Sequence, residues 1–347
     1  MQTQRCSKIF IRNENNPHEY RTPIVPHDIS KLIRIGFEVF VESSNTRLFS
    51  DDEYILNGAI ITHKRWYDST FNDALIIGLK EISELEKLHN HKHVYFSHSY
   101  KKQEGYKKIL SAFSKSSSII YDFEYFIDNN NKRLLSFGFY AGITGGILGM
   151  LQYLEKSTFE INISNLQYWN THQEMIRFIN PNLLKDIKIA IVGGKGNCGT
   201  GVKNILDELK IKYDIFYKHS NKLLLKKYDI VYNCITLPDN FNEVWFSKYT
   251  EFKKPIIIVD VSCDYLKANN PIQLYNKNTT WTEPVYSYNK FVDIIAINNL
   301  PSLLPKDSST FFSNKCVELL EEYKQPIVGY WNDNEKIYND NINRVKL

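Results

Sequence analysis

Residues 189–201 read IAIVGGKGNCGTG, an apolar run that breaks into glycines at 193, 194, 196, 199 and 201. Glycine is the residue type a chain needs where it turns sharply and where backbone must approach a pyrophosphate closely. Amides at the N-terminus of a following helix would then face the negative charge. The spacing is Gly-x-x-Gly-x-x-Gly-x-Gly, and Gly194-x-Gly196-x-x-Gly199 lies inside it. A strand before the loop and a helix after it make dinucleotide binding the expected use; the alternative is a strand-to-helix turn with no ligand. The next apolar strand, Tyr213–Tyr217, is followed by Lys218, His219 and Ser220, so the acid that would take a ribose 2′-hydroxyl is missing there. Lys218 permits a 2′-phosphate, hence NADP, and reads equally well as a solvated surface lysine.

The loop needs a parallel sheet to hold it, and the chain supplies the pattern for two. Short apolar strands are expected at 8–12, 37–42, 59–62, 74–78, 93–96 and 118–122. Helices are expected at 28–35, closed by Gly36, at 51–56 and at 106–114. This is βαβα order. Residues 138–154 then read as one long apolar helix with small residues at 138, 141, 142, 145, 146 and 149, which would let other backbones pack close. Alternation restarts with strands at 187–192, 214–217, 230–234, 256–261 and 294–297, a helix at 201–209 and a closing helix at 308–322. The fold class expected is therefore α/β: two Rossmann-like domains with parallel sheets, joined by the long helix, with the site in the cleft where strands end. The substrate domain is expected at 1–137, completed by 315–347, and the dinucleotide domain at 138–314.

Length and composition agree. A chain of 347 residues suits two domains. Hydrophobic residues make up 43% and charged residues 24%, and the net charge is only +4. With no basic block beyond Lys222–Lys227, nucleic-acid binding is not expected. The N-terminal twenty residues are polar, unlike a secretory signal, and no stretch has the length and apolarity of a membrane span. Five widely spaced cysteines without a CxxC argue for a reducing cytoplasm and against a disulfide scaffold or a zinc site, so no metal is expected. Cys198 and Cys234 fall at the expected cofactor mouth and could approach each other.

A further set of segments carries a resemblance. They are RNENNPHEYRTPIVP at 12–26, IIGLKE at 76–81, FSHSYKKQ at 96–103, IYDFEYF at 120–126 and RLLSFGFYAG at 133–142. The glycine loop, IIIVDVS at 256–262 and LPSLLPKDSSTFFS at 300–313 complete the series. In this order, over nearly the whole chain, they resemble the lysine-forming saccharopine dehydrogenases of the alanine dehydrogenase superfamily. That family joins an amine to a 2-oxo acid through an imine that a nicotinamide hydride reduces, and runs the reverse reaction to lysine and 2-oxoglutarate. The implied partners are a small amino acid, a 2-oxo acid and NAD or NADP, in a monomer or small homo-oligomer with no membrane or nucleic acid.

The resemblance implies roles residue by residue. Lys80 and His98 are the acid–base pair, and both lie at the ends of expected strands, where side chains meet ligands. Burial and nearby charge can make a lysine a neutral base. Arg21, Lys101 and Arg133 match substrate-binding positions, and guanidinium forks suit carboxylates. Phe137 matches a residue packed on substrate, and Glu81 and Glu124 match acids that tune charge. On the cofactor side the resemblance implies Gly193, Gly196, Asn197, Gly199, Gly201, Lys218, Thr236, Val261, Asn298 and Leu300. Read without the resemblance, Lys80 is first a strand-end surface lysine, His98 one more histidine in a segment that also holds His89, His91 and His93, and Arg21 and Arg133 members of ordinary surface pairs.

Departures cluster around cofactor and substrate. Asn298-Asn299 stands where the family has Asp-His, Asn197 and Lys132 stand for arginines, Thr236 for a tyrosine, and Lys218 for the ribose acid. Lys218 and Asn298 are also features of a related branch, the NADPH-dependent N-carboxyalkyl amino acid (opine) synthases, which use pyruvate. A nucleotide-binding pseudoenzyme is the alternative of another class.

Overall fold

The computed structural model describes residues 6–101, 105–158, 162–238, 240–265 and 267–345. Met1–Arg5 of the polar N-terminus and Lys102 and Gln103 of the 96–103 segment lie outside the described residues. The chain divides into two units, residues 1–136 with 308–347, and residues 137–307.

The first unit is built on a six-stranded sheet of β1 (Lys8–Ile11), β2 (Glu38–Glu42), β3 (Ile60–Thr62), β4 (Ala74–Ile77), β5 (Lys92–Tyr95) and β6 (Ile119–Asp122). Its order is β3-β2-β1-β4-β5-β6, and every pairing is parallel. All four residues of β4 are buried, as a strand covered on both faces requires. Each such Leu or Ile contributes about 1.5–3 kcal/mol on burial. The helices follow from local signals. In α1 (Pro26–Arg34) proline sits in the first turn, Ile29 and Leu32 are buried, and Gly36 closes the turn with φ 90°. In α2 (Asp51–Leu56) Ser50 and Glu53 form a reciprocal capping box. The amphipathic α3 (Tyr106–Lys115) buries Ile109, Leu110 and Phe113.

The second unit begins with α4 (Gly138–Thr158), followed by the short α5 (His172–Ile176) and β7 (Ile189–Val192). Then come α6 (Asn197–Glu208), β8 (Asp214–Phe216), β9 (Ile230–Asn233), β10 (Ile256–Asp260), β11 (Tyr286–Asn289) and β12 (Val292–Ile295). Its sheet order is β11-β12-β10-β9-β7-β8. The parallel expectation holds for five strands, but β11 runs antiparallel to β12. Only Lys290 and Phe291 separate the two strands, too few for a crossover, and Asn289 Oδ1 accepts the amides of Phe291 and Val292 to close the hairpin. Within this unit α4 packs on α6, as its small residues suggest: a side chain on Gly142 would strike the Cys198 carbonyl, and one on Gly201 the Phe139 carbonyl. Among the described residues no helix is long and apolar enough to cross a membrane, and no cluster of His, Cys, Asp and Glu could hold a metal.

The helix α7 (Pro305–Lys324) returns the chain to the first unit, where α8 (Tyr330–Val345) ends it. No helix is expected at α8 from the sequence pattern alone. Its contacts explain its presence. Asn334 exchanges hydrogen bonds with the backbone of Asp122 (3.0 and 2.9 Å), Tyr338 donates to the Ser118 carbonyl at 2.6 Å, and Trp331 packs on Tyr121 and Phe126. It therefore pins β6 from the end of the chain.

Candidate active site

Four adjacent strands, β1, β4, β5 and β6, release their polar residues at one edge of the first sheet. In a parallel sheet all C-terminal ends lie on the same side, which is where ligands bind. β1 runs into the loop holding Glu14, Glu19 and Arg21. Lys80 lies three residues past β4, His98 three past β5, and Glu124 two past β6.

Glu124 is the centre of one cluster. Its side chain is only 8% exposed, and its carboxylate lies 3.6 Å from His98 Nδ1, 2.7 Å from Lys101 Nζ and 3.0 Å from an Arg133 guanidinium nitrogen. Burial alone would raise this carboxyl, but His98 and Lys101 hold it down to about 2. The His98 contact is an ion-pair separation, longer than a hydrogen bond. His98 also takes a left-handed backbone conformation, φ 53°, which an L-residue adopts only where its surroundings impose it. Asp122 supplies part of that surrounding: its carboxylate accepts Ser97 Oγ at 2.8 Å and the Glu124 amide at 2.9 Å. Burial raises the Asp122 carboxyl, against those two hydrogen bonds.

The second cluster surrounds Lys80. Arg21 and Glu19 form a buried two-point pair, Nε to Oε1 at 2.7 Å and Nη2 to Oε2 at 2.6 Å. Lys80 Nζ lies 3.8 Å from the same carboxylate. Burial would raise the Glu19 carboxyl, but Arg21 and Lys80 hold it low. Burial, and then the positive charge of Arg21, hold the Lys80 amine below the usual lysine range. A lysine so placed can lose its proton and act as a base.

The structure brings Lys80, His98, Arg21, Lys101, Arg133 and Glu124 into these two clusters. Glu81 is exposed, and no hydrogen bond or ion pair of its own is among the contacts of either cluster. Phe137 belongs to the second unit, where its carbonyl accepts the Ala141 amide at the start of α4. Glu14 and Glu19 lie inside the 12–26 segment quoted above but received no role from the sequence; only their burial, at 6% and 2% exposure, singles them out.

In the second unit β7 runs into Gly193, whose φ of 88° only glycine adopts without strain. Gly196 caps α6, which begins at Asn197, earlier than the expected 201. Gly199 and Gly201 are thus helical. A cavity of ≈ 630 Å³ opens on this loop, lined by Gly193, Gly194, Lys195, Gly196, Lys218, Lys222, Thr236 and Glu243 among others. A dinucleotide fits this chemistry: backbone amides at a helix N-terminus for phosphate, and mixed charge beyond for a ribose. Lys218 is exposed on the wall. Lys222 is buried, and its Nζ donates to the carbonyls of Tyr217, Lys218 and Ser220 at 2.8, 3.1 and 3.0 Å, which shapes that wall. Glu243, a carboxylate the sequence reading did not consider, lines the cavity and accepts Trp245 Nε1 at 3.2 Å. Asn197, Gly199, Gly201, Val261, Asn298 and Leu300 do not line it. Val261 and Leu300 are buried at the ends of β10 and before α7, and Asn298 is exposed. All five cysteines are thiols; burial pushes Cys234 well above the ordinary thiol range.

Comparison with known proteins places the chain by family and fold. Residues 10–144 match the family described as alanine dehydrogenase/PNT, N-terminal domain, and residues 202–344 its C-terminal domain. The chain is 33% identical to a saccharopine dehydrogenase [NAD(+), L-lysine-forming] of Candida glabrata, over 95% of this chain and 96% of the relative. It is 30% identical to the protein of the same name from Yarrowia lipolytica, over 97% and 98%. An L-alanine dehydrogenase structure shares the fold with TM-score 0.71 at 14% identity, covering 98% of this chain and 99% of that one.

Proposed function

We propose, from the premise that this chain belongs to the saccharopine dehydrogenase (lysine-forming) family within the alanine dehydrogenase superfamily, that it catalyses the reversible condensation of a lysine-like amine with 2-oxoglutarate. The chain is a nicotinamide-dependent oxidoreductase acting on CH–NH donors. The dinucleotide, when bound, supplies the hydride acceptor or donor. Oxidation of the secondary amine then needs a base for its N–H proton, and Lys80 is the group whose protonation is discouraged. Water must next add to the imine carbon, losing a proton, and the carbinolamine must collapse with protonation of the leaving nitrogen. His98 serves these transfers, with Glu124 balancing the charge it takes on. Arg133 and Lys101 supply positive charge for substrate carboxylates, and Arg21, oriented by Glu19, sets a guanidinium near Lys80 that opposes its protonation.

The observation that carries this reading is the convergence of a histidine, a depressed lysine and three further cations on two buried carboxylates at one sheet edge. For the cofactor, we infer that both NAD and NADP are accepted, since Lys218 can meet a 2′-phosphate and Glu243 can accept from a free 2′-hydroxyl at the same cavity. The opine synthases' pyruvate chemistry is the competing substrate assignment. Turnover should be measured with both reduced cofactors against 2-oxoglutarate, pyruvate and glyoxylate, paired with lysine, ornithine and other amines. Highest kcat/KM for lysine with 2-oxoglutarate is expected. A pyruvate preference would overturn the substrate assignment, and cofactor binding without turnover across the whole panel would overturn the enzyme reading of these residues.

A further inference from the structure

The Lys80 peptide is gripped from both sides by two buried residues of opposite charge. Glu14 accepts the Leu79 amide at Oε1 (2.6 Å) and the Lys80 amide at Oε2 (3.0 Å). Arg12 Nη2 donates to the Lys80 carbonyl, and Arg12 Nη1 lies 3.2 Å from Glu14 Oε2. Arg12 and Glu14 are 5% and 6% exposed. The strand pairing carries on to this point, with the Arg12 amide donating to the Ile77 carbonyl at 3.0 Å. Gly78 completes the fit: a side chain there would occupy the space of the Arg12 guanidinium.

A buried ion pair is weak evidence for stability, because desolvation offsets most of its attraction. Here the side-chain hydrogen bonds that leave the pair end on two adjacent residues, Leu79 and Lys80, the segment that carries the base. An apolar pair could fill the same volume but could not hold both N–H groups and the carbonyl. We propose that Arg12 and Glu14 are positioning residues for Lys80, fixing its peptide at the end of β4 and balancing the charge beside its amine. The inference rests on the reading of Lys80 as the base.

The charged groups that face Lys80 are Glu14, Glu19 and Arg21, with Arg12 on its carbonyl, all from the loop that follows β1. Their signs give two opposite expectations. Removing the negative charge of Glu14 favours neutral Lys80, so the acid limb of kcat/KM for amine oxidation moves to lower pH. Removing the positive charge of Arg12 favours the ammonium, so the limb moves to higher pH. General damage to the fold has no reason to move the limb in opposite directions.

The test is the pH profile of kcat/KM for Glu14→Gln, Arg12→Met and Arg12→Lys, beside Lys80→Met, with cofactor affinity from NADPH fluorescence as a check on the second unit. Glu14→Gln should shift the acid limb down and Arg12→Met shift it up, each by about one pH unit. Each should lower kcat at least about tenfold through misplacement of the base, with cofactor affinity unchanged. Arg12→Lys keeps the charge but not the fork, so its limb should stay at the wild-type position while part of the lost turnover returns; this variant carries the test if Arg12→Met does not fold. Limbs that coincide with wild type in Glu14→Gln and Arg12→Met, or move the same way in both, overturn the positioning role. If Lys80→Met itself kept turnover, the base assignment would fall instead, so the two failures are distinguishable.

Discussion

The Glu124 carboxylate stands 3.6 Å from His98 Nδ1, and the same buried group holds Lys101 and Arg133. One negative charge thus offsets two permanent cations and remains available when the imidazole gains a proton. Glu124→Gln should therefore separate two kinetic parameters. Turnover should fall, because nothing balances the proton His98 carries. KM for the anionic 2-oxo acid should fall as well, since Lys101 and Arg133 lose an internal competitor. A rise in KM with kcat intact would mean that Glu124 serves binding alone.

Lys80→Met and His98→Gln should each lower kcat by about 10²–10⁴-fold, the usual scale of general acid–base catalysis. Nucleotide affinity should stay near wild type, because the glycine loop and its cavity lie in the other unit. The double variant should lose less than the product of the single losses, as the two residues serve one proton-transfer sequence. Stopped-flow turnover and fluorescence titration of the same samples check all three statements; near-wild-type turnover in either single variant removes that residue from the acid–base pair.

Much of this was legible in the sequence, and the illegible parts share a cause. Strands such as 74–77 and 189–192 are uninterrupted apolar runs between breakers, and so announce themselves. The helix 330–345 does not, because Asn334 and Tyr338 earn their places through bonds to backbone of Asp122 and Ser118, more than two hundred residues away in sequence. α6 starts before the expected 201 for a related reason: glycines at 199 and 201 look like loop, yet close packing against Gly194 and α4 leaves no room for side chains. In the candidate site, the segments around Lys80 and His98 single these two out, and the structure sets them beside Glu19 and Glu124. Glu19, Glu14 and Glu243 are not singled out in this way, since an acid in a polar segment looks solvated until burial and partners are known.

Acid should destabilise the first unit through two core histidines. Burial pushes the His91 imidazole down to about 4 and His93 well below its ordinary value; both rings pack on Trp66. The unfolded chain takes up these protons as pH falls through about 6.5, whereas the folded chain does so only near 4 or below. Stability is therefore fully present above about 6.5, and falls steadily between there and 4. Thermal unfolding of His93→Phe, which fills the same space without a titrating group, should lose part of this slope. Parallel Tm-versus-pH curves for wild type and variant would show that the acid sensitivity comes from elsewhere.

The cofactor cavity permits a signed prediction at its far wall. Lys218 offers an exposed ammonium, and Lys222 cannot offer another, because its three N–H donors are directed at the carbonyls of Tyr217, Lys218 and Ser220. The cations left on the wall for a 2′-phosphate are Lys218 and Lys195, the latter over the Tyr217 ring, while a free 2′-hydroxyl can donate to Glu243. Lys218→Asp should shift the kcat/KM ratio toward NAD, and Glu243→Gln should shift it toward NADP by removing both an acceptor and a repulsive charge. Lys222→Met should weaken both cofactors, since it releases the loop that forms the wall, and NADP more, since Glu243 loses the ammonium 3.7 Å from its Oε2 and keeps an unbalanced charge against a 2′-phosphate. The three variants, each measured with both cofactors, should move the ratio toward NAD for Lys218→Asp, toward NADP for Glu243→Gln, and toward NAD with loss of both affinities for Lys222→Met. A wild type with strong NAD preference that Lys218→Asp leaves unchanged would remove Lys218 from the site and leave the dehydrogenase assignment standing.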